Sequence, residues 1–274
     1  MKLGLVGCGA IGSTLANYIK DGKAGDNKLI GICDVNKASL NILNKTLALP
    51  GLQVTTEPDE LIQNKRIELI VEAANQLVVR KISEKVIDVG KSMLIMSVGA
   101  LTDEKLLARL EDRARKKNVK IYLPSGAICG LDGVKAASIG NISKVELTTT
   151  KNPKSLAGAP YIVDQKISLQ GLREPNVIFE GNAREAAKGF PQNINVAVAL
   201  SLAGIGVEGT RVKIVADPSS TRTKHEITVV GEFGDLYTVV NNFVHPQNPK
   251  TSYIAALSAI RVLKKIVEPI QVGT

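Results

Sequence analysis

A chain of 274 residues, 44% of them hydrophobic, has room for two domains of ordinary size; with 3% aromatics and no tryptophan, its cores must be built from Ile, Leu, Val and Ala. No apolar run approaches the roughly 18 residues of a membrane span, the first strand pattern begins at residue 2 and leaves no room for a leader, and three cysteines without metal spacing suit a reducing cytoplasm. The net charge of +9 lies in runs such as 109–120 and 261–265 without interleaved aromatics, which argues against nucleic acid and for a surface that attracts anionic small molecules.

Residues 2–6 are short and apolar, as a buried parallel strand is. Gly7-Cys8-Gly9-Ala10-Ile11-Gly12 follows, a G-x-G-x-x-G, and then Ile11, Leu15, Tyr18 and Ile19 recur at helical spacing before Gly22. Residues 28–34 form a second apolar run ending in Asp34, 22 positions after Gly12. Strand, glycine turn, helix, strand and acid together predict a dinucleotide site. Gly7 permits the tight turn, Gly9 lets the backbone approach a pyrophosphate, and Gly12 lets the helix pack against the strand. Ala10 and Ile11 open the helix whose free N–H groups face the phosphates. Asp34 accepts from the adenosine ribose and favours NAD, because a carboxylate repels a 2′-phosphate. Asn36 and Lys37 could take that phosphate if Asp34 turned away, so NADP remains a second cofactor. Cys8 reads as a small filler.

Residues 37–47 predict a helix, 53–56 a strand, 58–64 a helical turn, and 67–74 a strand that delivers Ala74, Asn75 and Gln76 to the edge where open α/β sheets bind ligands. A helix over 78–89, a strand over 92–98, a helix over 102–117 and a strand over 120–123 complete a Rossmann-type, doubly wound parallel sheet of about six strands. The pattern changes near residue 130. Strands are predicted at 144–151, 165–169, 176–181, 212–216, 223–232 and 235–244, the last three antiparallel. Residues 183–207 read as a helix in two pieces split at Gly189-Phe190-Pro191, and 248–266 as a closing helix whose apolar stripe returns to the first domain. The expected division is 1–126 with 246–274 for the dinucleotide domain and 127–245 for a smaller α+β substrate domain.

The chain has two histidines. His225 shares strand parity with Ile227 and Val229, so it lies on an apolar face, where an imidazole serves acid–base chemistry or is simply a satisfied core residue. His245, before Pro246, reads as surface. Asn193 and Asn195, beside a proline-marked helix start, either cap that helix or bind nicotinamide or ribose. Ser125-Gly126-Ala127-Ile128 is either a plain turn or a place where backbone N–H groups reach a ligand.

Residues 7–12, Leu123-Pro124-Ser125-Gly126-Ala127-Ile128, Phe190-Pro191-Gln192-Asn193-Ile194-Asn195-Val196, His225-Glu226-Ile227 and Gly231-Glu232-Phe233-Gly234 occur in the order found in L-aspartate dehydrogenases, and the chain resembles that family over nearly its whole length. The resemblance implies a Rossmann domain with a smaller α+β domain, a homodimer, and NAD or NADP as cofactor. It implies cofactor contacts from Ala127 and Asn195 and catalysis by His225. It also implies oxidation of L-aspartate to iminoaspartate, or on to oxaloacetate and ammonia, feeding NAD biosynthesis. Asn193, Lys188, Arg222 and Lys224 are the candidates for binding the dianionic substrate. The alternative is another two-domain reductase, of the homoserine dehydrogenase or dihydrodipicolinate reductase kind.

Overall fold

The computed structural model describes residues 1–191 and 194–273, and the side chains of all of these except 249 and 250. The chain divides into two compact units, Met1–Pro124 with Ala256–Gln271, and Ser125–Ala255 with the residues from Val272. The break in the last third falls at Ala255/Ala256, so residues 246–255, expected with the dinucleotide domain, belong to the second unit.

In the first unit strands and helices alternate: β1 (Lys2–Val6), α1 (Ala10–Lys20), β2 (Lys28–Cys33), α2 (Lys37–Leu47), β3 (Gln53–Thr55), α3 (Pro58–Gln63), β4 (Leu69–Glu72), α4 (Gln76–Asp88), β5 (Ser92–Ile95), α5 (Glu104–Lys117) and β6 (Ile121–Tyr122). The six strands form one parallel sheet in the order β3-β2-β1-β4-β5-β6, the doubly wound topology expected. The order reverses between β1 and β4, and such a reversal opens a crevice at the carboxyl ends of the strands. The central strands β1, β2, β4 and β5 are mostly buried, as their apolar runs require, and the edge strands β3 and β6 only in part. Side chains set the helix ends: Asn36 accepts from the Ala38 and Ser39 N–H groups to start α2, and Asp103 accepts from Leu106 N–H to start α5. Arg115, Lys116 and Lys117 occupy the last turn of α5, where the helix dipole favours cations.

The second unit holds α6 (Leu131–Ala137), β7 (Ile142–Lys151), α7 (Pro160–Asp164), β8 (Asn176–Asn182), α8 (Ala183–Gly189), α9 (Asn195–Ala203), α10 (Gly206–Gly209), β9 (Thr210–Ala216), β10 (Thr223–Gly231), β11 (Gly234–Asn242), β12 (Val244–His245) and β13 (Asn248–Ser252). Five strands make one sheet in the order β11-β10-β7-β9-β8. It is mixed: β7 and β9 run parallel, and β7 lies between β9 and β10, so the 212–216 strand does not pair with 223–232 but with β7 and, antiparallel, with β8. Much of the chain's small aromatic content is spent in one place, where Tyr161, Phe179 and Phe190 stack with centroids 5.2–5.5 Å apart.

Three further expectations are corrected. Residues 165–169 form no strand: Pro160 starts α7, and Lys166 takes a left-handed φ of 51° just after it. The helical segment 183–207 is three helices rather than two. Residues 248–252 pair with β12 as a hairpin, and the closing helix α11 starts only at Tyr253 (Tyr253–Val267). From Ala256 onward α11 belongs to the first unit, where Ala256, Ala259, Ile260 and Leu263 join Leu3, Leu5, Leu15 and Ile32 in one core, and Asn27 donates to the Leu263 carbonyl at 2.8 Å. Among the described residues no helix is long and apolar enough to cross a membrane.

Candidate active site

In the first unit the glycine loop joins β1 to α1. Gly7 has φ of +105°, and a Cβ there would lie 2.5 Å from the Ala73 carbonyl oxygen, so only glycine makes this turn. A Cβ on Gly12 would collide with the Gly7 carbonyl; its absence lets α1 start against β1. Gly9 is different: it is exposed, and a Cβ on it would meet nothing within 4 Å. Gly9 also caps α1 without a side chain, so the helix opens with its N-terminal dipole toward a vacant approach. Ala10 and Ile11 are half-buried at that helix start.

Asp34 stands at the end of β2 and organises the loop: its Oδ2 accepts from Cys8 N–H at 2.6 Å and its Oδ1 from Asn36 N–H at 2.8 Å. Burial pushes the Cys8 thiol up to about 12, with the Asp34 charge adding to it, which fits a packing role and not a nucleophile. Across the switch point Ala74 and Asn75 are exposed, and Asn75 caps α4 by accepting from Val78 N–H. Glu72, which sequence reasoning passed over as a strand residue, anchors this loop from beneath. It is fully buried and accepts from Ala74 N–H at 2.8 Å, Ser97 N–H at 3.0 Å and Ser97 Oγ at 2.8 Å. Burial raises its pKa and these donors oppose the rise. The residues present therefore suit a dinucleotide: an open glycine, a helix start and an acid at the ribose end.

In the second unit His225 lies on the inner face of β10, 3% exposed. Its partner in the β7–β10 register is Thr149, whose Oγ1 is 2.9 Å from Nδ1. Burial, and then the charge of Lys151, hold the imidazole down at about 3, so it is neutral across the working range. Lys151, the last residue of β7, is itself buried, and burial lowers it to about 8. No candidate list drawn from sequence held Lys151. The signal was the parity Val145, Leu147, Thr149, Lys151, which puts the lysine on the core side of its strand.

The other candidates are distributed as follows. Ala127 is buried, and its carbonyl accepts from Asn242 Nδ2 at 2.9 Å. Asn195 is half-buried as the first residue of α9, whose cap position belongs to Ile194. Asn193 lies outside the described residues. Lys224 alternates to the face opposite His225 and pairs with Glu226 at 2.9 Å. Arg222 is exposed over the Phe243 ring at 4.2 Å, and Lys188 is exposed in the last turn of α8. His245, expected at the surface, is 3% exposed; Tyr253 packs on it and its Nδ1 accepts from Gln247 N–H, because the β12–β13 hairpin folds over it.

Comparison with known proteins bears on both units. Residues 132–266 match the family model described as aspartate dehydrogenase, C-terminal, and residues 7–124 match the homoserine dehydrogenase NAD binding domain. The chain is 46% identical over 279 residues to an L-aspartate dehydrogenase of Methanosarcina mazei and 40% identical over 274 residues to one of Methanocaldococcus jannaschii, covering 100% of each chain in both cases. Its fold is similar to the crystal structure of an aspartate dehydrogenase from Thermotoga maritima, with a TM-score of 0.75 and 26% identity over 100% of this chain and 99% of that one.

Proposed function

The chain belongs to the aspartate dehydrogenase family, and from that premise we propose that it oxidises L-aspartate with NAD or NADP to iminoaspartate, which yields oxaloacetate and ammonia. The observation that carries the chemistry is a buried, neutral imidazole beside Thr149 at the more polar end of a largely apolar sheet face. When bound, the nicotinamide supplies the acceptor for the hydride leaving Cα. His225 handles protons. In the tautomer whose Nδ1–H donates to Thr149 Oγ1, Nε2 is left as the base. It takes a proton from the substrate ammonium or from the water that adds to the imine carbon. Ala127 and Asn195 are the cofactor contacts of the second unit in this reading, and Asn242 positions Ala127 through its carbonyl.

The test is aspartate-dependent growth of reduced-nicotinamide absorbance; oxidation of homoserine in place of aspartate would replace this reading with the homoserine dehydrogenase one. Asp34 favours NAD. The Asp34→Asn variant keeps an acceptor for Cys8 N–H but loses the charge, and is expected to lower the NAD-over-NADP ratio of kcat/KM by about 10- to 100-fold. Steady-state kinetics with the two cofactors checks it. The reading includes a cytoplasmic location, supported by the free thiols of Cys8, Cys33 and Cys129, and a homodimer, supported by the outer face of the five-stranded sheet, where Tyr237 and Val239 are exposed. It also includes a supply of imine to NAD biosynthesis, supported by the family resemblance.

A further inference from the structure

We propose that Lys151 is the cation that receives a carboxylate of the four-carbon diacid substrate beside His225. The inference rests on the aspartate reading above and names the side chain that reading lacks. For most of its length the inner face of the five-stranded sheet is apolar, with Val145, Leu147, Val212, Ile214, Ile227 and Val229 buried. Most of its buried polar residues gather at one end, where Thr149, Lys151, Thr223, His225 and Asn242 lie, while Thr210 is buried at the other end beside Val145. Strand register brings them together, with Thr149 opposite His225, Thr223 opposite Asn242, and Lys151 two residues beyond Thr149 on the same face.

The remaining lysines of this sheet lie on its other face. Lys144, Lys213 and Lys224 alternate to the outer face and pair there with Glu146, Glu180 and Glu226. Lys151 points the other way, into a face where an ammonium is costly to bury. Its charge acts on His225 and disfavours the imidazolium, so these two groups do not form an ion pair. A dicarboxylate reverses that relation: its negative charge is welcome at Lys151 and raises the basicity of the imidazole that must take a proton. The carboxylate bonded to Cα must lie close to whatever base serves Cα, and Lys151 is the basic side chain that shares a face with that base.

The Lys151→Met variant of the full chain is expected to raise KM for aspartate by about 10- to 100-fold while KM for NAD stays within a factor of two. Lys151→Arg should recover part of the loss. A folded Lys151→Met with unchanged KM for aspartate overturns the proposal. Reductive methylation of the wild-type chain, followed by mass spectrometry, needs no variant to fold. Succinate should slow modification of Lys151 and butyrate should not; equal rates overturn the proposal as well. A wild-type chain that turns over no aspartate, yet shows succinate protection of Lys151, removes the parent reading and leaves the diacid site standing.

Discussion

His225→Ala is expected to lower kcat for aspartate by about 10²- to 10⁴-fold, with NAD affinity unchanged because the glycine loop belongs to the other unit. The side chain sits in a built environment. Thr149 fixes Nδ1, and the face around it excludes water. Alanine removes the base and leaves a small cavity beside Thr149, so stopped-flow and steady-state assays should show slow chemistry in a less stable but folded protein. Unchanged turnover would remove His225 from the mechanism. The same burial makes an acid signature. A denatured imidazole protonates near 6.5, whereas the folded one waits until about 3. Between those values the unfolded chain binds one more proton than the folded chain. This group's contribution is therefore whole above 6.5 and is lost as pH falls, at about 1.4 kcal/mol per unit. Urea midpoints measured from pH 7 to pH 4 should fall more steeply for the wild type than for His225→Asn.

Gly12→Ala is expected to abolish measurable NAD binding and to destabilise the first unit, at the upper end of the about 1–3 kcal/mol typical of overpacking. The added methyl group meets the Gly7 carbonyl, a backbone atom that cannot rotate away, so α1 must move off β1 and take its opening N–H groups with it. Gly9→Ala is the matched control. Its methyl meets no protein atom within 4 Å, so the melting temperature should hold while NAD affinity falls, because the methyl occupies the approach of the pyrophosphate. Calorimetry and nucleotide titration of the two variants separate the glycine that packs from the glycine that faces ligand. Equal melting losses in both would refute the distinction.

The first unit was legible because its signals are local and redundant. Buried runs such as 2–6 and 28–33 flank the helix that the glycine motif opens, and residues 37–47 form the helix their spacing predicts. The second unit depends on longer-range pairing, where alternation misleads. Residues 165–169 alternate but find no neighbouring strand, and 248–252 precede the helical spacing that begins at Ile254 and pair with β12 instead. Parity placed His225 on the buried face, and the same rule applied to β7 would have exposed Lys151. His245 shows the opposite error: an X-Pro step suggested a surface loop, but packing against Tyr253 buried it. Lys224 and Arg222 are sequence candidates for the dianion, yet Lys224, one step from His225 along β10, turns to the other face, and Arg222 stacks over Phe243.

Helix α11 closes the core of the first unit across a sequence separation of 236, through the bond from Asn27 to Leu263. On the ribosome, the fold that begins first is thus finished last. While residues 125–255 are being made, the nascent sheet has an unfilled groove where Ala256, Ala259, Ile260 and Leu263 will lodge, and a sticky intermediate of that kind is the natural client of a chaperone. Both ends of the second unit are tied to a neighbour that cannot mature without the later segment, so domain-by-domain expression would separate a self-contained insert from a host left incomplete.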